Sequence, residues 1–418
     1  MFYFQVERLR FNPVFVKFFI IQFPRSKFMA EILTPANLEW REKARYIAEQ
    51  YVRPVAADLD RTGEYPWSVI EALRENGLMG IWIPKEYGGH DAGILNLCIV
   101  VEELSRACGG MGVAYAVNAL GSFPVLLGGT EAQKEKYLHK VASGETLVAF
   151  CLSEITAGSD AGSLKARATK TEDSYVIQGD KKWTTNANAA TLYSVFATTN
   201  PERGTRGVSG FLVEKGWEGF TIGKREDLMG IRCVPVHETH FHNCRVPEDA
   251  LLGGKEGHGF KHAMMTLDHA RPGVAAQAVG LAQGAYELAM DYVRQREQFG
   301  QPIVANQAIQ FMLADMATQI EAARQLVYTA ARALDAKTKD MSKLAAMAKV
   351  FATDTAMRVT TDAVQLFGGY GYCRDYPIEK YMRDAKITQI YEGTNQIQRV
   401  VISRALVREA AANDKKSD

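Results

Sequence analysis

Apolar positions along the chain fall into three textures. From about 30 to about 147 they recur at three- and four-residue steps, as in "NLCIVVEELSRA" and "GTEAQKEKYLHKVASGE", with glycine or proline between blocks. That spacing predicts helices, and "IPKEYGGHDAG" reads as a loop between two of them. From about 148 to about 258 the runs shorten to "SYVIQGDKKW", "TLYSVFATT", "SGFLVEKG" and "ETHFHNCRV", bounded by clusters such as "NPERGTRG". These predict strands, and with no helix-length crossover between them an antiparallel domain. From about 259 to 412 long helices return. Ile309, Leu313, Met316, Ile320, Ala323, Val327, Ala330 and Leu334 step by 4-3-4-3, a repeat that packs lengthwise in a bundle. The stretches 272–297 and 342–367 read as neighbours of similar length, and 413–418 as a disordered tail. The expected class is α+β, mostly α, with a helical domain over 29–147, a β domain over 148–258 and a helical bundle over 259–412.

Residues 1–28 break this picture. They hold eight of the 19 phenylalanines, five basic residues and one acid, and their apolar run is too short to span a bilayer. The preferred reading is over-called sequence ahead of a true start at Met29, which implies a cytoplasmic protein. The alternative is an organelle presequence, which implies the mitochondrial matrix. Thr34 then caps a helix with Pro35 in its first turn.

Charge excludes more than it identifies. The 418 residues carry 49 basic and 48 acidic side chains, a net charge of +1. Neither nucleic acid nor an anionic membrane is expected as partner, since both call for a basic excess. The six cysteines form no CxxC and read as reduced, mostly buried thiols. No GxGxxG follows a strand, no GxxxxGK[ST] occurs and no GxSxG appears, against a Rossmann nicotinamide site, a P-loop and a hydrolase elbow. His237, His240 and His242 form one cluster. His240 and His242 share a strand face, but no carboxylate or cysteine falls at ligand spacing along the sequence, so surface histidines and no metal are expected.

Three stretches carry candidate chemistry. "FCLSEITAGSD" (150–160) ends a strand with small residues and hydroxyls, suited to a polar heterocycle or a phosphate. "KKWTTNA" (181–187) sets the flat face of Trp183 beside short polar groups, which suits an aromatic cofactor or a strand-end core tryptophan. "QLFGGYGYCRDYPIEKYMRDAKITQIYEGTNQ" (365–396) has glycines that permit close backbone approach, then an acid, Glu392, ahead of a helix from about 395. Read alone, Glu392 is either a helix-start carboxylate or a base.

Together "SEITAGSD", "KKWTTNA", "DHARPGVAAQAVGLAQGA" (268–285), "REQFGQPI" (296–303), "QLFGGYGY" (365–372) and "MRDAKITQIYEGTNQIQ" (382–398) resemble the acyl-CoA dehydrogenase family of flavoenzymes, short- to medium-chain-like, over about 30–412. The resemblance implies an N-terminal helical domain, an antiparallel β-barrel-like middle domain and a C-terminal four-helix bundle, assembled as a homotetramer. It implies FAD as cofactor, an acyl-CoA substrate oxidised to trans-2-enoyl-CoA in fatty acid β-oxidation, and an electron-transferring flavoprotein as acceptor. Glu392 matches the base. Phe150, Ser153, Ser159, Trp183, Thr185, Thr394 and Gln396 match FAD positions. Arg296, Phe299, Gln307, Gln365, Gly368 and Gly369 match contacts to a neighbouring subunit's FAD. Ser159, Asp268, Arg271 and Arg404 match substrate positions near the CoA moiety, and Gly393 a substrate position beside the base. The family's other base position is Ala270 here, which cannot take a proton. Ile155 and Ser153 depart from the family's proline and threonine. The pocket stretch "YAVNALGSFP" (115–124) is uncharged, against a dicarboxylic substrate. The other readings are the same chemistry on a branched or cyclic acyl-CoA, a CoA-ester-binding protein without turnover, and an oxidase that uses oxygen directly.

Overall fold

The computed structural model describes residues 33–417, so the expectation for residues 1–28 falls outside the described residues. The first helix starts as its sequence directs. The Thr34 hydroxyl accepts from the Asn37 amide, the Asn37 side chain accepts from the Thr34 amide, and Pro35 fills the first turn. Two orphan donors are thereby satisfied, and the proline's missing N–H is no loss. Helix α1 (Pro35–Ile47) runs into a π-helical turn. Then follow α2 (Ala56–Thr62), α3 (Trp67–Glu75), α4 (Gly93–Ala107), α5 (Gly109–Gly128) and α6 (Glu131–Ala142). Helix α5 is long and apolar enough to cross a membrane, and most of it is buried inside the protein.

Seven strands come next: β1 (Val148–Cys151), β2 (Arg167–Lys170), β3 (Ser174–Thr185), β4 (Leu192–Thr198), β5 (Val208–Glu214), β6 (Phe220–Arg225) and β7 (Val236–Pro247). They form a curled sheet in the order β1-β4-β2-β3-β7-β6, with β5 paired to β4. The expected antiparallel pattern needs one correction. Strand β1 runs parallel to β4, and Arg167 of β2 meets Thr198 of β4 in parallel. The β2–β3 hairpin lies between β1 and β4 in sequence and carries the chain back, so no crossover helix is needed and none was there to signal the pairing. Tyr175, Phe211 and Phe241 fill the interior of the sheet domain.

The C-terminal part holds α7 (Gly259–Gln295), a small hairpin of β8 (Glu297–Gln298) and β9 (Gln301–Pro302), α8 (Gln307–Asp335), α9 (Met341–Phe367), α10 (Ile378–Thr388) and α11 (Asn395–Ser417). Seven of the eight heptad positions on α8, from Leu313 to Leu334, are buried, and Ile309 is partly buried. Helix α7 begins at Gly259, not near 272, and carries Pro272 inside it. A proline there removes the amide that would have met the Asp268 carbonyl and sets its ring against that carbonyl, yet the helix continues through it. Helix α11 runs to Ser417, so 413–417 are helical where a disordered tail was expected. No glycine or proline follows "REAAAND" to end it, and alanine favours the helix.

Buried ion pairs join the helical parts. Arg324 of α8 donates from Nε to Glu102 of α4 at 2.8 Å, and Tyr328 donates to the other Glu102 oxygen at 2.8 Å. Around this seam, α7 and α9 pack side by side and hold the turn between α10 and α11 against their flank.

Candidate active site

The turn after α10 places Glu392. It is closed by the Asn395 amide donating to the Gln389 carbonyl at 3.1 Å, and the Gln389 side chain donates to Asp354 of α9 at 2.7 Å. Within it Glu392 has φ 52° and Gly393 φ 91°. Glycine takes that conformation freely, whereas a glutamate in it is strained by about 1 kcal/mol and stays only where its surroundings hold it. Gln398 donates to the Glu392 carbonyl at 3.2 Å and to the Gly393 carbonyl at 2.8 Å. Lys349 of α9 donates to the Gly393 carbonyl and to Asn395 Oδ1, each at 2.9 Å. Arg271 of α7 lies 3.5 Å from the Glu392 carbonyl. Tyr391 donates to Gln277, which donates in turn to the Gly109 carbonyl at 3.2 Å.

The carboxylate itself is held less tightly than its backbone. Glu392 Oε2 is buried and carries no hydrogen bond. Burial pushes the carboxyl up to about 7, against the opposing pull of Lys349 and Arg271. Burial likewise pushes Lys349 down to about 7, opposed by Glu392. A carboxyl poised there can accept a proton near neutral pH, which a fully solvated glutamate does poorly. Thr394 caps α11, its hydroxyl accepting from the Ile397 amide at 3.3 Å. The helix-start role that Glu392 could have filled therefore falls to Thr394.

The other expected site residues gather in two further places. On the sheet, Ser153 follows β1 beside Phe150, and its carbonyl accepts from the Lys182 amide at 2.9 Å. Trp183 and Thr185 lie in the same stretch of β3. Trp183 sits at a bulge with φ 56°, its ring half exposed. Glu154 supports the loop from below, accepting from the Lys165 and Ala166 amides and pairing with the buried Lys181 at 2.7 Å. Ser159 is exposed further along it. At the bundle end Arg296, Gln365, Gly368 and Gly369 line one hollow of about 540 Å³. The Arg296 guanidinium lies over the Tyr370 ring, and Phe299 at the tip of the β8–β9 hairpin is wholly exposed. Gln307 starts α8 next to that hairpin, and Gln396 and Arg404 are exposed on α11.

These groups fit a flavin dinucleotide. Trp183 offers an uncovered ring beside hydroxyls. At Gly368 (φ 58°) and Gly369 an added Cβ would meet nothing within 4 Å, so the backbone lies open beside an arginine. Within one chain the hollow and the Trp183 group share no residue. Asp268 and Arg271 come together as a pair at 2.6 Å. Arg271 is almost fully buried, facing the Glu392 turn as well as Asp268.

Two features were missed in the sequence. The histidine face does hold a carboxylate: Asp180, cross-strand from His240, accepts from His240 Nδ1 at 2.6 Å and His242 Nε2 at 3.1 Å. It comes from β3, far from both histidines in sequence. His237 points inward and is buried, as the alternation predicts. The second feature is Lys349. Its signal was present: Ala345, Lys349, Ala352, Ala356, Val359 and Ala363 trace one buried face of α9, with a lysine at one step.

Three models of the acyl-CoA dehydrogenase family match in chain order: its N-terminal domain over residues 34–145, its middle domain over 149–244 and its C-terminal domain over 257–407. A probable acyl-CoA dehydrogenase, FadE25 of Mycobacterium tuberculosis, is 48% identical over 370 residues, 88% of this chain and 95% of that protein. Butyryl-CoA dehydrogenase from Megasphaera elsdenii superposes with a TM-score of 0.87 at 44% identity, covering 90% of this chain and 99% of that one. A chain from a structure of the electron transferring flavoprotein of Acidaminococcus fermentans superposes with a TM-score of 0.88 at 48% identity, again over 90% and 99%.

Proposed function

The chain belongs to the acyl-CoA dehydrogenase family, FAD-dependent oxidoreductases, and from that premise we propose that Glu392 is the base that takes the α-proton of a short, saturated acyl-CoA to give the trans-2-enoyl-CoA. The observation that carries this reading is the buried, unpartnered Glu392 Oε2 on a carboxyl poised at about 7. FAD, when bound, would supply the acceptor for the β-hydride. The protein's own part is to bind, orient and remove a proton. The Glu392 amide donates to no acceptor among the described residues and is available to a thioester carbonyl, where a donor stabilises developing enolate charge. Ala270 is apolar and buried, which leaves Glu392 without a competing acid at that position.

Butyryl-CoA dehydrogenase as a close structural relative supports a short monocarboxylic chain. So does the helix stretch 115–124. Tyr115 donates to the Leu78 carbonyl, Asn118 is bonded to Ala114 and Val148, and Ser122 bonds to Trp82 and Ala119. No polar side chain in that stretch is left over to meet a second carboxylate. The A. fermentans relative supports an electron-transferring flavoprotein as acceptor. The exposed Phe299 and the open hollow at the bundle end support a homo-oligomer, with each hollow serving a neighbour's FAD.

Anaerobic mixing with butyryl-, octanoyl-, isobutyryl- and cyclohexanecarboxyl-CoA tests the reading. Rapid bleaching of the flavin by butyryl-CoA is expected. Faster bleaching by isobutyryl- or cyclohexanecarboxyl-CoA would replace the straight-chain assignment. Bleaching of Glu392→Gln at the wild-type rate would remove Glu392 from its role.

A further inference from the structure

We propose that Lys349 is a positioning residue for the Glu392 carboxylate: its buried ammonium clamps the Gly393 carbonyl and the Asn395 side chain, and so holds the left-handed turn that presents the base. The proposal rests on the reading of Glu392 as that base.

The argument starts from where the lysine is. Lysines normally run their stems along the surface and keep the ammonium in water. Lys349 is 0% exposed. Two other buried lysines have a carboxylate in contact: Lys181 pairs with Glu154, and Lys380 with Asp384. Among the described residues Lys349 forms no ion pair within 4.0 Å. Its acceptors are the Gly393 carbonyl and Asn395 Oδ1, both beside Glu392 in sequence. Asp354, the acid nearest to it on its own helix, accepts instead from Asn395, Gln389 and Arg399 at 2.7, 2.7 and 2.9 Å. A cation taken out of water this way is costly unless something uses it. Two strained features need it. The Gly393 carbonyl follows a non-glycine residue at positive φ, and the Glu392 charge needs a compensating cation inside the protein.

The charged groups around the pair come from three elements. Arg271 and, behind it, Asp268 approach from α7, Asp354 lies on α9, and Glu392 is on the turn. Arg271 already neutralises Asp268, so removing the Lys349 charge leaves Glu392 with less opposition to its burial. The base would then ionise at higher pH, and its turn would lose the clamp on Gly393.

The test uses the flavin-loaded full chain with butyryl-CoA, read as kcat, KM and the pH profile of flavin bleaching. Lys349→Met should lower kcat at pH 7 by about 10- to 100-fold, the size of effect a small misplacement of a reacting group produces. KM should stay within about 3-fold, and the acid limb of the profile should move up by about one pH unit. Lys349→Arg keeps the charge and should return the limb toward its wild-type position. A lysine of structural importance only would lower the melting temperature and leave kcat per bound flavin and the limb unchanged, and that result overturns the proposal. If Lys349→Met does not retain flavin, Asn395→Ala carries the test, since it removes one of the two acceptors. A kcat lowered by about 3-fold or more is expected there, and an unchanged kcat and limb overturn the proposal. Glu392→Gln run in parallel separates the two failures. Wild-type bleaching by that variant removes the base, whereas an inactive Glu392→Gln beside a wild-type-like Lys349→Met removes only the role of the lysine.

Discussion

Glu102 is a buried carboxylate and Glu392 a partly exposed residue whose Oε2 is buried, and their surroundings differ in kind. Glu102, in the seam between α4 and α8, gives one oxygen to Arg324 and the other to Tyr328, and Arg324 reaches on to Glu321 and Gln283. Glu392 has its backbone carbonyl held by Gln398, while its buried Oε2 has no partner. A protein that only needed to be stable would leave neither oxygen bare, because an unpaired buried charge costs several kcal/mol. The unmet acceptor at Glu392 supports the proposal that this carboxylate takes a proton from outside the chain. The same comparison separates Arg324, enclosed by acids, from Arg271, which splits its charge between Asp268 and the Glu392 turn.

The comparison predicts opposite phenotypes. Glu392→Gln keeps shape and size and removes the basic oxygen, so flavin bleaching by acyl-CoA should slow by about 10²- to 10⁴-fold with flavin content unchanged. A loss under about 10-fold would mean that another group takes the proton. Glu102→Ala should do the reverse. It removes the buried partner of Arg324, leaving that guanidinium the half-exposed Glu321 and Gln283, and should cost about 3 kcal/mol in denaturant unfolding, while turnover per folded, flavin-loaded molecule stays near wild type. A Glu102→Ala protein with full stability would mean the seam is solvated, and the contrast with Glu392 would lose its basis.

The pH profile sharpens the contrast within the site. The base must be ionised to accept a proton, and burial raises the Glu392 carboxyl to about 7. Bleaching should therefore fall about 10-fold per pH unit below that value and level off above it. A limb near the ordinary carboxylate range would mean that the carboxyl is solvated before substrate arrives.

How far these two carboxylates could be told apart in the sequence follows from what each depends on. Local pattern sufficed for the elements. The heptad on α8, the cap at Thr34 and the strand texture are written in neighbours a few residues apart, and they appear in the structure. Glu392 stood out through the residues around it, and Gln365, Gly368, Gly369 and Arg296, singled out through the resemblance, line one hollow. Contacts between distant segments were not legible. Asp180 reaches His240 only through the β3–β7 register, and β1 meets β4 in parallel only because the hairpin between them returns the chain. Lys349 looked like one more lysine on a helix until α9 was laid against the turn. The part of α7 before Pro272 was hidden because a lone proline signals a helix start more often than a helix that runs through it.

Stability against pH gives the closest test of why Glu392 is left unpaired. Its folded pKa is raised above the ordinary value near 4.5 to about 7. A carboxyl with a raised folded pKa supports the fold at pH values below its unfolded pKa, where it is protonated in both states. That support is lost as pH rises through the window from about 4.5 to about 7, because the unfolded chain releases its proton first. At pH 8 the folded protein carries an ionised, buried carboxylate that glutamine would not. Glu392→Gln should therefore be more stable than wild type at pH 8, by about 3 kcal/mol on a raised pKa that already includes the opposing charges of Lys349 and Arg271, and close to it at pH 4.5. The comparison is made by urea unfolding of both proteins in the same flavin-loaded state. A gain that grows with pH alongside lost activity would show that this carboxylate is kept at the expense of stability. A Glu392→Gln protein less stable than wild type at pH 8 would show instead that the charge is part of what holds the turn.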